Sequence, residues 1–541
     1  MIKSCYIHIP FCENICTYCD FCKRYYNKKY INKYLNSLEK EIDSLYKNEV
    51  LDTIYIGGGT PSCLDIEELR SLFRIINKLK KSSNCSITIE ANFESINKDK
   101  LDLFKKNGIN RISFGLESIN KNNLLFMDRV LDKDKVINMI RYSKEIGIND
   151  INVDLIYALP NEDINILKED IDFILDLDIT HISTYSLIIE EHTIIYINKV
   201  KNISEDLDSE MYKYICNRLK DNGFIHYEIS NFCRDGYESK HNLCYWKNLE
   251  YYGFGLGASG FINNKRYINT KSISKYIDGN YIDNYELLNK RDLMEYEVIL
   301  NLRIYTGIDL DNFYNKFNIK LEDVYNYKDL VKDGLLILEN NNLYIDEDKW
   351  YISNSIIVKL LKIKKVRDAC TTMIELLPDY FFEVPASSTG KYHPDYALGE
   401  GGLLRHSKAA ARIGYELLQN PIIGGKYTEL EQDLMIMALM IHDGLKSGNP
   451  KERYTRFDHP ILMANYIKEN KEKLGLENDE IKLLMDVIKT HMGAWTTDYQ
   501  GNEVLEKPKT KYQTFVHMCD YLASRKCLLV PFDEDNKILT K

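Results

Sequence analysis

Three cysteines near the start of the chain have the spacing of a metal-binding loop. Cys12, Cys16 and Cys19 are arranged as C-x3-C-x2-C directly after an apolar, β-branched run. Three thiolates on one short loop can each hold one iron of a [4Fe–4S] cluster, which leaves the fourth iron open, as a catalytic site requires. The alternative is a structural zinc site, whose fourth ligand would come from Cys5, His8 or Cys22.

A glycine-rich loop follows the second predicted strand. In IYIGGGTPS, Ile54 to Ser62, three glycines and a threonine would leave bare N–H groups for the charged end of a ligand. The two loops together resemble those of the radical S-adenosylmethionine (radical SAM) superfamily. The resemblance implies that the open iron binds the methionine end of S-adenosylmethionine (SAM). An electron from the cluster then cleaves SAM to a 5′-deoxyadenosyl radical.

Length and composition bound the class of protein. The chain has 541 residues and is 44% apolar, enough for about three or four units with their own cores. A net charge of −10 gives no global basic field, so we expect no nucleic acid partner. Thirteen cysteines favour a reducing cytoplasm, and no apolar run approaches the ~18 residues that span a bilayer.

The first part of the chain alternates strand-like and helix-like runs. Alternation of this kind predicts a parallel sheet, here a partial (β/α)6 barrel with its chemistry at the carboxyl ends of the strands. The six predicted strands are Cys5–Ile9, Thr53–Ile56, Ser86–Glu90, Arg111–Leu116, Ile151–Tyr157 and His181–Ile189.

Four domains are expected along the chain. Residues 1–225 form the radical SAM core, and 226–290 form an aromatic, glycine-rich and irregular middle segment. Residues 291–361 read as a small winged-helix-like unit with a helix pair and a short β pair. Residues 362–541 lose the strand pattern and read as an all-α domain.

The motifs of the first two thirds resemble a more specific family. In order they are YIHIPFC, CTYCDF, GGGTPS, TIEAN, NRISFGLES, INVDLIYALP, YEISNF and HNLCYW. They are similar to the oxygen-independent coproporphyrinogen III oxidase family over about residues 1–361. The H-N-x-x-Y-W motif is typical of its heme-chaperone branch. Cys19-Asp20-Phe21-Cys22 stands where the oxidases end in C-x-C, and it is similar to the chaperones apart from the extra Cys22.

The resemblance implies a set of SAM contacts, in which Arg129 meets the methionine carboxylate and Asp154 the ribose or adenine. Glu117 stands where the family usually has Gln, which adds a negative charge beside the sulfonium. The full set implied for SAM is Tyr6, Tyr18, Gly58, Gly59, Thr60, Glu90, Glu117, Arg129 and Asp154. Glu90 and Asp154 have a structural alternative as strand-end caps, and Arg129 has one as a surface helix residue.

The H-N-x-x-Y-W motif gives a hypothesis for heme. His241, with Tyr245 and Trp246 after it, would be an axial ligand to heme iron beside an aromatic wall. A histidine among aromatic residues is otherwise a packed core residue.

The last third carries a second constellation of histidines and aspartates. Its order resembles the HD-domain metal-dependent phosphohydrolases: His406, His442, Asp443, His459, His491 and Asp520. In that family the first histidine, the His-Asp pair and the last aspartate bind one divalent metal. The two histidines between them imply a second metal, and the substrate is a small phosphorylated molecule. Lys446 would meet a phosphate or else be a solvated helix end; His393 is left unassigned.

These readings give one main hypothesis and two alternatives. The main hypothesis is a heme-chaperone-like radical SAM protein fused to an HD-type phosphohydrolase domain, with heme and heme-accepting proteins as partners. The first alternative is an oxidase that decarboxylates the propionates of a porphyrinogen. The second is a nucleotide phosphohydrolase in which the HD domain dominates.

Overall fold

The computed structural model describes residues 2–361, 364–387, 393–498, 500–526, 530–533 and 536–539, without the side chains of 364 and 365. The chain divides into two compact units. The first comprises Met1–Leu321 and Tyr327–Leu360, and the second comprises Glu322–Asn326 and Leu361–Lys541. The predicted start of the last domain at residue 362 lies outside the described residues.

Six parallel strands form the centre of the first unit, as the alternating pattern predicts. They are hydrogen-bonded in chain order, β1 to β6, within a 12-stranded sheet. Their bounds are β1 Ser4–Ile9, β2 Leu51–Gly58, β3 Lys81–Asn92, β4 Arg111–Glu117, β5 Asp150–Tyr157 and β6 His181–Ser186. The mostly parallel, barrel-like core is therefore confirmed.

Amphipathic helices connect these strands and bury one face each. The second of them begins with a capping box between Asp65 and Glu68 and buries Leu69, Leu72 and Phe73. The helices are α1 Lys28–Leu45, α2 Ile66–Ile76, α3 Lys98–Lys106, α4 Lys121–Met127, α5 Lys133–Glu145, α6 Ile164–Asp176, α7 Ile194–Ile197 and α8 Glu205–Asp221.

The middle segment is more regular than predicted. It continues the same sheet past β6 with β8 and β7, and past β1 with β9 to β12. A Cβ on Gly253 would lie 1.9 Å from the Ser259 carbonyl oxygen, so glycine here permits close strand approach. The elements are β7 Ile225–Glu228, β8 Asn231–Cys233, α9 Lys240–Trp246, β9 Tyr251–Phe254, β10 Ser259–Ile262, β11 Lys265–Asn269, α10 Ile273–Ile277 and β12 Ile282–Leu287.

The first unit ends in a small group of helices around a three-stranded sheet. Trp350 is 2% exposed and donates its indole N–H to the Ile345 carbonyl over 3.0 Å, which anchors the group. This arrangement matches the expected helix pair and short β pair. The elements of this stretch are α11 Lys290–Asn301, β13 Ile308–Asp309, α12 Leu310–Phe317, α13 Leu321–Val324, α14 Tyr327–Lys332, β14 Ile337–Glu339, β15 Asn342–Tyr344 and α15 Ser353–Leu361. Apart from Leu321, α13 belongs to the second unit.

The regular elements among the described residues of the second unit are helices, apart from two isolated β bridges. Gly414 lets two helices pack closely, since its Cβ would lie 2.7 Å from Leu439 Cδ1. The helices are α16 Lys364–Glu375, α17 Tyr380–Glu383, α18 Gly402–Leu418, α19 Pro421–Gly424, α20 Glu429–Ile441, α21 His459–Glu469, α22 Lys471–Leu474, α23 Asn478–Lys489 and α24 Lys511–Ala523. Among the described residues, none of the helices has the length and apolarity to cross a membrane.

Candidate functional site

A cavity of about 390 Å³ opens at the carboxyl ends of the central strands and is called the barrel cavity here. It brings together nearly all residues that the sequence assigned to the cluster and SAM. Those that line it are Cys12, Cys16, Tyr18, Cys19, Gly58, Gly59, Thr60, Glu90, Glu117, Arg129 and Asp154. Tyr6 lines a neighbouring cavity instead, where its hydroxyl lies 2.9 Å from His8 Nδ1.

The glycine loop packs directly against the cysteine loop. A Cβ on Gly59 would lie 2.9 Å from Cys12 Sγ and 2.8 Å from the Phe11 carbonyl oxygen. Only glycine therefore permits this contact. The three thiols share the barrel cavity with the glycine loop, so these residues fit an iron–sulfur cluster held by three cysteines.

The backbone N–H groups of the glycine loop are not bare, which corrects the sequence-based expectation. Gly58 N donates to Glu90 Oε2 over 2.9 Å. Gly59 N donates to the Ile9 carbonyl and Thr60 N to the Phe11 carbonyl, both over 2.8 Å. The glycines thus allow the two loops to pack closely. In this conformation the N–H groups of Gly58, Gly59 and Thr60 are not free to bind a ligand.

Glu90 lies at the base of the barrel cavity beneath the glycine loop. Burial raises the pKa of its carboxyl to about 7, although the hydrogen bond from Gly58 N opposes that rise. A Cβ on Gly57 would lie 2.6 Å from the carboxyl group. The carboxyl therefore titrates near neutral pH and can accept hydrogen bonds from a ligand once it is ionised.

Arg129 is fully engaged by protein groups. Its Nη1 lies 3.0 Å from Glu117 Oε1, and its Nη2 lies 3.0 Å from both Glu94 Oε2 and the Gly115 carbonyl. Its side chain is 4% exposed. A ligand carboxylate at Arg129, as the resemblance implies, has to compete with these two carboxylates. Glu94 was not recognised in the sequence, because no motif marks it.

Asp154 belongs to a polar layer that crosses three neighbouring strands. Asn152 Nδ2 donates to Asp154 Oδ1 over 2.8 Å, and Ser113 Oγ donates to its Oδ2 over 3.3 Å. Burial raises the pKa of Asp154. The strand register pairs Ser113 with Asn152 and Asp154 with Ser183. Polar residues at inward positions of predicted strands are the signal that could have found this layer; Arg111, Tyr55 and Tyr185 also line the cavity.

His241 is buried with both ring nitrogens hydrogen-bonded. Its Nδ1 lies 2.8 Å from Thr53 Oγ1 and its Nε2 lies 2.8 Å from the Tyr245 hydroxyl. The residue is 2% exposed, and burial lowers its pKa to about 3. In this conformation protein groups occupy both ring nitrogens, so heme ligation by His241 would require one of these hydrogen bonds to break, and it stays a prediction.

The second unit brings its six predicted metal ligands into one buried cluster. Asp443 Oδ1 lies 3.0 Å from His459 Nε2 and 3.6 Å from His491 Nε2. Asp520 Oδ1 lies 2.9 Å from His406 Nε2 and 3.4 Å from His442 Nε2. Two overlapping groups have spacing suited to a metal ion: His406, His442 and Asp520, and His442, Asp443 and His491.

This cluster fits divalent metals by its donor set. The Nε2 atoms of four imidazoles converge on two carboxylates, and His442 Nε2 is buried without a hydrogen-bond partner among the described residues. Imidazole and carboxylate suit Fe, Mn, Zn, Co or Ni. Lys446 Nζ lies 2.5 Å from Asp443 Oδ2, and the ring of His393 lies 5.1 Å from that of His406. His393, left unassigned from sequence, therefore borders this cluster.

Comparisons with known proteins concern the first unit. Residues 6–174 match the Radical SAM superfamily and residues 288–348 match the HemN C-terminal domain. The heme chaperone HemW of Bacillus subtilis (strain 168) is 37% identical over 372 residues, covering 66% of this chain and 98% of that protein. The chain belongs to the HemW family of radical SAM proteins. HemW of Lactococcus lactis subsp. lactis (strain IL1403) is 36% identical over 369 residues, covering 66% of this chain and 97% of its own.

A solved structure supports the same fold. The coproporphyrinogen III oxidase HemN from Escherichia coli superposes with a TM-score of 0.60 at 20% identity, covering 66% of this chain and 90% of that chain. The radical SAM family implies a [4Fe–4S] cluster and SAM. Neither family match extends beyond residue 348 of this HemW-family chain, so the HD resemblance of its last third stays a prediction.

Proposed function

We propose that this chain is a heme-binding radical SAM protein that holds a [4Fe–4S] cluster and SAM and passes heme to acceptor proteins. The observation that carries the proposal is the match to heme chaperones over nearly their whole length. The barrel cavity adds physical support, since the three-cysteine loop and the glycine loop meet there.

Different residues of the chain would bind the cluster and SAM. Cys12, Cys16 and Cys19 would hold the cluster, which when bound supplies the electron for SAM cleavage. Glu90 and Asp154 would accept hydrogen bonds from SAM, as carboxylates matched to donors. Arg129 keeps its guanidinium at the cavity wall through Glu94 and Glu117.

The test is anaerobic purification of the full chain with iron, sulfide and heme measured on one sample, followed by mixing with an apo-hemoprotein. We expect about four irons of cluster per chain, bound heme, and transfer of that heme to the acceptor. Release of carbon dioxide from coproporphyrinogen III by the same sample would instead support the oxidase alternative and contradict this proposal.

A second activity is favoured by the metal-ligand cluster of the second unit. We infer that this unit is an HD-type phosphohydrolase that binds one or two divalent metals and acts on a small phosphorylated substrate. The support is the convergence of six residues predicted from the resemblance of their order to the HD-domain family. Two metals held near Asp443 would clamp phosphate oxygens and lower the pKa of a bound water. Lys446 would offer a positive charge to the phosphate.

This activity is tested with the full chain in a phosphatase screen against nucleotides and cyclic nucleotides, with Mn²⁺, Fe²⁺, Co²⁺, Ni²⁺ or Zn²⁺ added. We expect metal-dependent phosphate release that Asp443→Ala abolishes. Activity that persists in Asp443→Ala, or none with any of these metals, would contradict the assignment.

A further inference from the structure

Thr60 lies where the glycine loop meets the cysteine loop, and its hydroxyl is directed at one of the cluster cysteines. Thr60 Oγ1 donates to Cys12 Sγ over 3.6 Å. Both residues are 6% exposed, so little water competes for this contact. The hydrogen bond therefore joins a side chain of one loop to a sulfur that the other loop supplies for the cluster.

The local backbone favours a different partner for this hydroxyl. Thr60 is the N-cap of a short 3₁₀ helix, Pro61–Cys63, and a threonine at an N-cap usually accepts a hydrogen bond from the first turn of its helix. The Thr60 side chain makes no such bond. Its backbone N–H donates to the Phe11 carbonyl over 2.8 Å. Both polar hydrogens of Thr60 are thus directed at the cysteine loop.

A second side chain fixes the direction of the Thr60 hydroxyl. Asn92, at the end of β3, donates from Nδ2 to Thr60 Oγ1 over 3.3 Å. Asn92 is itself held in place, because its backbone N–H donates to Ser62 Oγ over 3.0 Å. An oxygen that accepts from Asn92 keeps its own hydrogen to donate, and Cys12 Sγ is its acceptor. Asn92, Thr60 and Cys12 thus form one chain of hydrogen bonds.

A hydrogen bond to a cysteine sulfur changes the electron affinity of the iron–sulfur cluster that this sulfur holds. Reduction by one electron adds negative charge, which spreads over the cluster and its sulfur ligands. A donor at a sulfur is bound more strongly in the reduced form, because a hydrogen bond to a more negative acceptor is stronger. Hydrogen bonds to the sulfurs are therefore among the factors that set the reduction potential of such a cluster.

We propose that Thr60 is a positioning residue that raises the reduction potential of the cluster through Cys12, and that Asn92 orients its hydroxyl for this role. The inference rests on the cluster-binding part of the proposed function, and it assigns Thr60 to the cluster instead of SAM. One electron enters the cluster from an external one-electron reductant, and no covalent bond is formed or broken. The hydrogen bond from Thr60 strengthens as Cys12 Sγ gains negative charge, so the reduced form is stabilised.

The role of Thr60 is tested by redox titration of the full chain in the absence of SAM. The chain is reconstituted anaerobically with iron and sulfide and titrated with dithionite and redox mediators. The reduced cluster is followed by electron paramagnetic resonance. We expect Thr60→Val, which keeps the shape and loses the hydroxyl, to lower the equilibrium constant of reduction about tenfold, a shift of ~59 mV to more negative potential. Thr60→Ser keeps the hydroxyl and should recover most of the wild-type potential.

Thr88→Val is the matched control. It removes another buried threonine hydroxyl of β3, four residues before Asn92. We expect the wild-type potential in this variant. A potential that falls equally in Thr88→Val and Thr60→Val would assign the shift to a general loosening of the sheet and overturn the inference.

The role of Asn92 is tested by a double-mutant cycle. We expect Asn92→Ala to shift the potential in the same direction by a smaller amount, because the Thr60 hydroxyl can then rotate away from Cys12. In a Thr60→Val background the same change should have no further effect, since residues of one hydrogen-bond network are not independent. Equal shifts in both backgrounds would contradict an action of Asn92 through Thr60.

The outcomes separate this inference from the proposed function. Wild-type chain that forms no cluster after reconstitution contradicts the proposed function itself. A cluster whose potential is unchanged in Thr60→Val overturns only the inference. Where Thr60→Val holds no cluster, an unchanged potential in Asn92→Ala overturns it, because that variant keeps the threonine. A lower SAM affinity in Thr60→Val without any change of potential also overturns it and returns Thr60 to the SAM contacts.

Discussion

At the scale of single residues, the pKa values of carboxyl groups are shifted in opposite directions in the barrel cavity and in the histidine cluster. Burial raises the pKa of Glu90 to about 7; the hydrogen bond from Gly58 N opposes that rise and the nearby Asp154 carboxylate adds to it. Asp443 and Asp520 are also buried, yet the cations around them hold their pKa values well below the usual range. Asp443 and Asp520 are thus ionised at neutral pH, as metal ligands must be, whereas Glu90 changes its charge near neutral pH.

Glu90→Gln should weaken SAM binding about tenfold at pH 8, because an ionised acceptor of a charge-assisted hydrogen bond is lost. For wild type, SAM affinity should rise from pH 6 to pH 8 as Glu90 ionises, and the variant should show no such rise. Since the folded pKa lies above the ordinary value, stability without SAM should fall as pH rises through about 7, and less so in the variant. Equilibrium dialysis and thermal denaturation measure the two effects. Glu67→Gln, on an exposed face of α2, is the control, and an equal pH slope in Glu90→Gln would contradict the assignment.

Asp443→Asn should lower the divalent metal bound by the second unit by at least one ion per chain. Asp443 lies within 3.9 Å of the Nε2 atoms of His406, His442, His459 and His491, so no other residue of the cluster replaces it. Metal is measured by elemental analysis after dialysis, with cluster iron counted separately by its sulfide. Asp479→Asn, at the exposed start of α23, should keep the wild-type metal content. Full metal content in Asp443→Asn would exclude this cluster as the site.

At the scale of elements, the sequence predicts the strands and helices, because these follow from hydrophobic periodicity. It does not predict the close contacts between distant parts of the chain, because these leave no periodic pattern. The six parallel strands follow from alternation, and the position of the cavity follows from the strand ends, whereas the residues assigned to SAM follow from the family resemblance. The middle segment was misread because Gly253 looks like a breaker, while its role is to let β9 and β10 approach. The pairing of Arg129 with Glu94 also escaped, because it joins the ends of different strand–helix connections and carries no spacing signal.

The contact between the cysteine and glycine loops gives a prediction at this scale. Gly59→Ala should lower cluster iron several-fold while the unit still folds, because the new methyl would overlap Cys12 Sγ and the Phe11 carbonyl. Iron and sulfide analysis after anaerobic reconstitution measures the loss. Gly279→Ala is the control: nothing lies within 4 Å of its Cβ, and its φ of +90° should lower stability without affecting iron. Normal iron content in Gly59→Ala would show that the loops can separate.

At the scale of the whole molecule, the chain consists of two compact units that each have a core of their own. A ligand that binds one folded unit stabilises that unit by mass action. We expect two thermal transitions in calorimetry, one raised by SAM and the other by divalent metal. Asp443→Asn should remove only the metal-dependent shift. A single transition that moves with both ligands would show instead that the units unfold together.

One consequence follows from the two hydrogen bonds of His241. Its ring is neutral at physiological pH, so one nitrogen donates and the other accepts. When Nδ1 carries the hydrogen, Thr53 accepts it and the Tyr245 hydroxyl donates to Nε2. In the other tautomer the Tyr245 oxygen accepts from Nε2, and its own hydrogen is free to point into the cavity that Tyr245 lines together with Tyr6 and Tyr251. The choice of tautomer at a residue sealed from solvent thus determines whether that phenol can donate a hydrogen bond into the cavity.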